Sequence, residues 1–317
     1  MSDGELNQVP GKPVDPLPAA NLSFRLIGVA ALLVGIILLF AYAAGWLAPH
    51  KLTPARFIDR FETLNGLHSG FRRNHAKGVC VGGWFQSNGR AATLSKASIF
   101  QPGRVPIVGR FSFGGGNPDA ADTATDVRGL GILFKLSHGE EWRTAMINLP
   151  VFPFATPQAF YDQMLALRPD PATGKPAPAR VQAFLAKYPE TAKALQIIRS
   201  HPPSSGFDNS TFNSLNSFRF INETGAVAWV RWSLVPDQPF QPVNPSHPER
   251  AGTNYMFDAL IAGIHQHPLQ WHLIFTVAQP GDPTDDATLP WPSDRQQIDA
   301  GTLTLNNVES EDTSPTL

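Results

Sequence analysis

The sequence predicts an α+β fold: an antiparallel β-barrel with helices packed around it, preceded by a single N-terminal transmembrane helix. Three observations carry the prediction. Thirty prolines and 26 glycines in 317 residues describe a turn-rich, mainly β chain with long ordered loops. Short apolar or alternating runs recur between turn residues, the pattern of antiparallel hairpins. Ahead of them, Leu26 to Leu47 is an uncharged run of apolar and small residues. At about 1.5 Å per helical residue it reaches across a hydrocarbon core of roughly 30 Å.

Taken in order, residues 1–23 read as a flexible tail rich in Pro, Asn and Ser, and 26–47 as the span, with Trp46 as an interfacial anchor. Ala41-Tyr42-Ala43 also has the small-x-small form of a cleavage site, so a signal peptide stands beside the anchor reading. The charges flanking the span slightly favour a cytoplasmic C-terminal domain. A soluble domain follows over 54–308. Phe57, Phe61 and Leu64 recur at helical spacing from Pro54 to Leu64. Strands are predicted at Val79–Phe85, loosened by Gly82-Gly83, and then at Ile107–Phe113, Leu130–Leu136 and Trp142–Ile147. Thr156-Pro157 caps a helix through Leu167, and Pro189 divides Arg180–Ser200 into two short helices. A hairpin is predicted over Ser217–Trp232, turning at Glu223-Thr224-Gly225. A helix over Asn254–Ile264 and strands at Leu269–Ala278 and Gly301–Leu305 complete the domain. Residues 309–317 read as an acidic, disordered tail.

Composition narrows the function. The hydrophobic fraction of 42% and the charged fraction of 16% are those of a globular protein with a substantial core. A net charge of −1 leaves no field that would recruit nucleic acid. The single cysteine, Cys80, excludes an internal disulfide or a multi-cysteine metal site. His265, His267 and His272 lie close together in sequence, but Pro268 interrupts them and no carboxylate stands at ligand spacing; they read as surface or satisfied histidines. Gly114-Gly115-Gly116 lacks the Lys-Ser/Thr of a phosphate loop. The chain has no G-x-S-x-G or H-E-x-x-H motif.

The segment with chemical promise is Arg72-Arg73-Asn74-His75-Ala76-Lys77-Gly78, a histidine delivered by a strand with two arginines just upstream. Alone it reads as structural more readily than catalytic. It is followed in order by Arg110-Phe111-Ser112, Asp126-x-Arg128-Gly129 and Asn148-x-Pro150-x-Phe152. Together these segments resemble the haem-containing catalase family, most closely its smaller catalase-related peroxidase branch, from about Arg56 to Val308.

The resemblance implies a catalase-like barrel holding haem b and acting on peroxide with an external electron donor. His75 matches the distal histidine, the proton carrier; Asn148 matches the asparagine that orients peroxide, and Ser112 the serine bonded to the imidazole. Arg72 and Arg110 match arginines that pair with haem propionates. Phe152 and Phe160 fall among the aromatics that line the pocket. Asn74 and Asn216 depart from the larger members, which have valine and histidine there. The family's axial ligand, a tyrosine in an Arg-x-x-x-Tyr context, has no match in 1–317: the four tyrosines are Tyr42, Tyr161, Tyr188 and Tyr255. The metal ligand is thus unknown, with Tyr255 or a histidine as substitutes to consider. A haem-free barrel, inactive or holding an apolar ligand, is the alternative. Family habit implies a single-pass protein of a bacterial-type inner membrane, with its catalytic domain in the periplasm.

Overall fold

The computed structural model describes residues 19–47, 52–244, 246 and 252–309. It comprises two compact units, Met1–Arg56 and Phe57–Leu317.

In the first unit, α1 (Ala19–Ala43) starts earlier and ends earlier than the expected 26–47. Its start follows the last proline of the leader, Pro18, after which no breaker intervenes. Its end is a glycine stop. Gly45 adopts a left-handed φ of 83°, its N–H donates to the Tyr42 carbonyl at 3.0 Å, and the Trp46 N–H reaches back to Ala41 at 2.9 Å. Leu22–Ala43 is long and apolar enough to cross a membrane, a test that an N-terminal signal sequence also passes. Of the two tails expected at the ends, residues 1–18 and 310–317 lie outside the described residues; 19–23 are helical, and Glu309 ends a strand.

In the second unit nine strands form one antiparallel sheet: β1 (Gly78–Ser87), β2 (Gly103–Phe113), β3 (Arg128–Lys135), β4 (Glu141–Ile147), β5 (Phe212–Asn213), β6 (Phe218–Ile221), β7 (Val227–Pro236), β8 (Leu269–Val277) and β9 (Gln297–Glu309). Their order is β5-β4-β3-β2-β1-β9-β8-β7-β6, and pairing of β5 with β7 closes eight of them into a barrel. Closure leaves β6 as a flap on β7. The two-residue β5 carries no sequence periodicity and was not expected. β9 is longer than the expected Gly301–Leu305 because it pairs with both β1 and β8. The glycine pair marks a bulge in β1: a Cβ on Gly83 would lie 2.0 Å from the Thr304 carbonyl oxygen, so only glycine admits this approach.

The period-two alternation of β2 and β3 places the site. Phe111 and Phe113 of β2, and Leu130, Ile132 and Phe134 of β3, enter the core. Arg110, Ser112, Gly129 and Gly131 occupy the alternate positions and face outward. The interior is aromatic: Phe134 stacks on Trp142 at 4.7 Å, and Phe100 meets Phe275 edge-on at 5.2 Å. Full burial of each such ring stabilises by about 1.5–3 kcal/mol. The helices pack in two places: Met256, Phe257, Leu260 and Ile264 join the barrel core, while Phe154, Ala159, Ala166 and Phe184 form a second cluster. The Thr156 hydroxyl caps α3 (Pro157–Ala166) by accepting the Ala159 N–H at 3.1 Å. Pro189 separates α4 (Pro178–Lys187) from α5 (Pro189–Arg199). Also as expected, α2 (Pro54–Asn65) and α6 (Tyr255–Gln266) are helical.

Candidate active site

The outward faces of β2, β3 and β4 meet residues 72–75 and 213–216 around a cavity of about 460 Å³. His75 stands at its wall with a left-handed φ of 55°, a conformation uncommon in any residue but glycine. Several bonds hold it there. Arg110, itself buried, donates from Nη1 to the His75 carbonyl at 2.9 Å and from Nη2 to the Ala76 carbonyl at 3.1 Å. The Ala76 N–H donates to Gly115 O at 3.0 Å, while the Gly115 N–H donates to Asn74 Oδ1 at 2.8 Å. Strain at one backbone position is thus compensated by four surrounding bonds.

The ring is fixed as well. Its Nδ1 lies 3.0 Å from the Ser112 hydroxyl. Burial, then the positive charges of Arg110 and Arg72, hold the imidazole below its ordinary pKa of 6.5. The result is a neutral histidine near neutral pH, held at one nitrogen.

Arg72, Arg110, Ser112 and Phe152 line the same cavity as His75; Asn148 and Phe160 do not. The Asn148 amide is used by the backbone: Oδ1 accepts the Arg128 N–H and Nδ2 donates to Asp126 O, both at 2.9 Å. Phe160 stacks on Phe154 at 4.9 Å and lines a neighbouring cavity that shares Phe152 and Asn216 with the first. Arg128, within one of the four motifs, is a buried fastener instead. Its guanidinium donates to Ser204, Gly206 and Ser210.

Three features go beyond the sequence reading, which named Gly129 and Lys77 only as members of the motifs. Gly129 and Gly131 strip the cavity floor of side chains. A Cβ on Gly129 would lie 3.0 Å from Ser112 Oγ and 3.1 Å from His75 Cε1, while one on Gly131 would enter open space. Leu215, at the opposite wall, has φ 62°, with the Asn216 N–H bonded to Ser214 O at 2.7 Å, a tight strained turn. Finally, Lys77 binds the buried Asp122 at 2.6 Å, and Asp122 Oδ2 accepts the Met256 and Phe257 N–H groups at the start of α6. One carboxylate therefore ties the segment after His75 to a helix more than a hundred residues away in sequence.

Gly129 and Gly131, apolar Met146, Ile147 and Phe152, and the exposed Arg72 are a lining chemically suited to a planar macrocycle with an acidic edge. No tyrosine or cysteine donor stands among the described residues lining the cavity. Tyr161 accepts from Arg60 at 3.4 Å, Tyr188 donates to Asp162 at 2.6 Å, and Tyr255 begins α6 against the core. Tyr42 lies in α1.

The three nearby histidines form no metal cluster among the described residues. His265 and His267 are exposed. His272 is satisfied by carboxylates from elsewhere in the chain, Asp299 at 2.9 Å on Nδ1 and Asp237 at 3.1 Å on Nε2.

Comparison with known proteins accords with this geometry. The family model described as catalase matches residues 42–311. A catalase-related peroxidase of Synechococcus elongatus is 39% identical over 285 residues, covering 90% of this chain and 84% of that one. Another, from Mycolicibacterium paratuberculosis, is 30% identical over 262 residues and 82% of each chain. Among solved structures, a fungal catalase superposes with a TM-score of 0.67 at 21% identity, over 81% of this chain and 54% of its own. The chain thus spans about half the length of that catalase while sharing its fold. With the barrel, the ordered motifs and the cavity they surround, the match over residues 42–311 shows that this chain belongs to the catalase family.

Proposed function

We propose that this chain is a haem-dependent peroxidase that reduces hydrogen peroxide or organic hydroperoxides with an external electron donor. The observation that carries the reading is His75, neutral and bonded through Nδ1 to Ser112 in a cavity floored by glycine. The relatives named catalase-related peroxidases support a peroxide-acting oxidoreductase. Arg72 and Arg110 would hold the acidic edge of haem b, which would supply the oxidising chemistry of the family.

The residues of this chain manage protons and position. When Nδ1–H donates to Ser112 Oγ, the lone pair lies on Nε2, which accepts a proton from one peroxide oxygen and returns it to the other. The lowered pKa keeps that lone pair available at neutral pH. Arg110 holds the His75 backbone while contributing its charge, and Arg72 would present a guanidinium to a propionate. Asn148 lies outside the cavity lining and would orient peroxide through Nδ2 only on releasing the Asp126 carbonyl. Phe152 excludes water beside the reacting oxygen, and Phe160 shapes the approach.

α1 anchors the domain to the inner membrane as a single pass, with the domain in the periplasm; its length and apolar composition support the anchor. Titrating haem into the purified full chain tests the central part. A saturating Soret band at one haem per chain is expected. No Soret band would favour the second reading, a haem-free barrel for an apolar ligand, for which the absence of a described tyrosine at the cavity argues.

A further inference from the structure

The triple glycine after β2, which lacks the partners of a phosphate loop, packs against the segment that carries His75. Gly115 takes a φ of 118°, and a Cβ on Gly116 would lie 2.5 Å from the Arg73 carbonyl oxygen, so no side chain fits between the two stretches of backbone. Around Gly115 they exchange bonds. Its carbonyl accepts the Ala76 N–H at 3.0 Å, and its N–H donates to Asn74 Oδ1 at 2.8 Å. The loop is tied down from its other side by the Gly114 N–H, which donates to Val127 O at 2.9 Å.

The bond to Asn74 sorts the two ends of its amide. The oxygen is the acceptor and is used by Gly115; the nitrogen carries two donor hydrogens. Nδ2 donates to no described residue, and Asn74 lines the same cavity as His75. Other polar side chains there are already engaged. Ser112 is bonded to the His75 ring. Asn213 donates to Leu149 O at 2.9 Å and accepts the Ser233 hydroxyl at 2.6 Å. Asn148 lies off the lining with both ends of its amide in use.

We infer that Asn74 is a catalytic residue, donating from Nδ2 to the peroxide whose proton His75 takes up. The inference rests on the peroxidase reading and adds the amide that this reading needs at the cavity wall. A neutral donor suits the place. When the O–O bond breaks, the departing oxygen gathers negative charge before the proton returned by His75 reaches it, and a fixed N–H stabilises that charge. The amide keeps its own protons. Overall, hydrogen peroxide takes two electrons from the external donor and two protons, and leaves as two waters.

The test is cyanide binding to the haem-loaded full chain in lipid nanodiscs, read from the Soret shift, with peroxide consumption measured beside it. Asn74→Val removes both donor and acceptor, whereas Asn74→Asp keeps an oxygen for the Gly115 N–H and removes only the donor. Cyanide, an anion that accepts hydrogen bonds, should bind each variant about tenfold more weakly, the loss of one hydrogen bond to a charged group. Peroxide is neutral, and its first-order rate should also fall in both. In Asn74→Val the acid limb of that rate, which belongs to His75, should stay at its wild-type pH. Wild-type cyanide affinity in either variant would overturn the assignment; in Asn74→Asp it would mean that the amide only supports the glycine loop. A displaced acid limb would overturn it too, since the substitution would then act by moving His75. A wild type whose Soret band does not respond to cyanide would overturn the peroxidase reading as well.

Discussion

Arg110 Nη1 lies 2.9 Å from the backbone carbonyl of His75, and that carbonyl belongs to a residue with φ 55°. The arginine that the family resemblance assigns to a propionate is therefore also the clamp on the His75 backbone. Replacing it by methionine leaves two carbonyls in a buried wall without their donor. Arg110→Met should cost about 2–4 kcal/mol of stability in urea denaturation. Arg110→Lys, which keeps the charge but not the fork, should recover only part of it.

The lowered pKa of His75 makes a signed prediction. The unfolded chain binds a proton at 6.5, while the folded chain binds it only at lower pH. Stability from this site is therefore complete above pH 6.5 and falls as pH drops through 6.5 toward the folded value. His75→Gln should flatten that limb of a stability–pH curve. Peroxide turnover should persist through most of that window and decline only as pH passes below the folded value, where the ring of the folded chain is protonated and has no lone pair to offer.

Gly131 tests the cavity floor. Nothing lies within 4 Å of a Cβ placed there, so Gly131→Leu is accommodated by the folded chain but occupies the cavity. Its melting temperature should stay near that of the wild type, while its Soret absorbance in a haem titration falls about tenfold or more.

Asp122 joins Lys77 to the first N–H groups of α6, with its own side chain out of contact with solvent. Asp122→Ala leaves the Lys77 ammonium without its counter-charge, with only the Ala120 and Thr253 carbonyls as acceptors, and removes the helix acceptor. A loss of about 3–5 kcal/mol is expected from breaking one partner of a buried pair, read by chemical denaturation.

How much of this was legible in advance follows from the kind of signal each feature leaves. Strands such as Ile107–Phe113 and Leu130–Leu136 announce themselves through a local two-residue period, and the break at Pro189 through a residue that cannot continue a helix. His75, Ser112 and Arg72 became a group only through the order of the four motifs, and the cavity unites them. The left-handed Leu215, the barrel-closing β5 and the Asp122 link leave no local signature, because each depends on a partner distant in sequence. Arg110 illustrates the limit: its position in the motif was readable, but its bonds to the His75 and Ala76 carbonyls depend on a backbone turn that no propensity predicts.

The most direct test of the proposed function compares peroxide consumption by the haem-loaded wild type with that of haem-loaded His75→Ala, at pH 7.5 and equal Soret absorbance (pH chosen about one unit above the ordinary histidine pKa). A fall of about 10²–10⁴ in the first-order rate under limiting peroxide is expected, the range for losing a positioned general acid–base. Equal rates for the two proteins would contradict it.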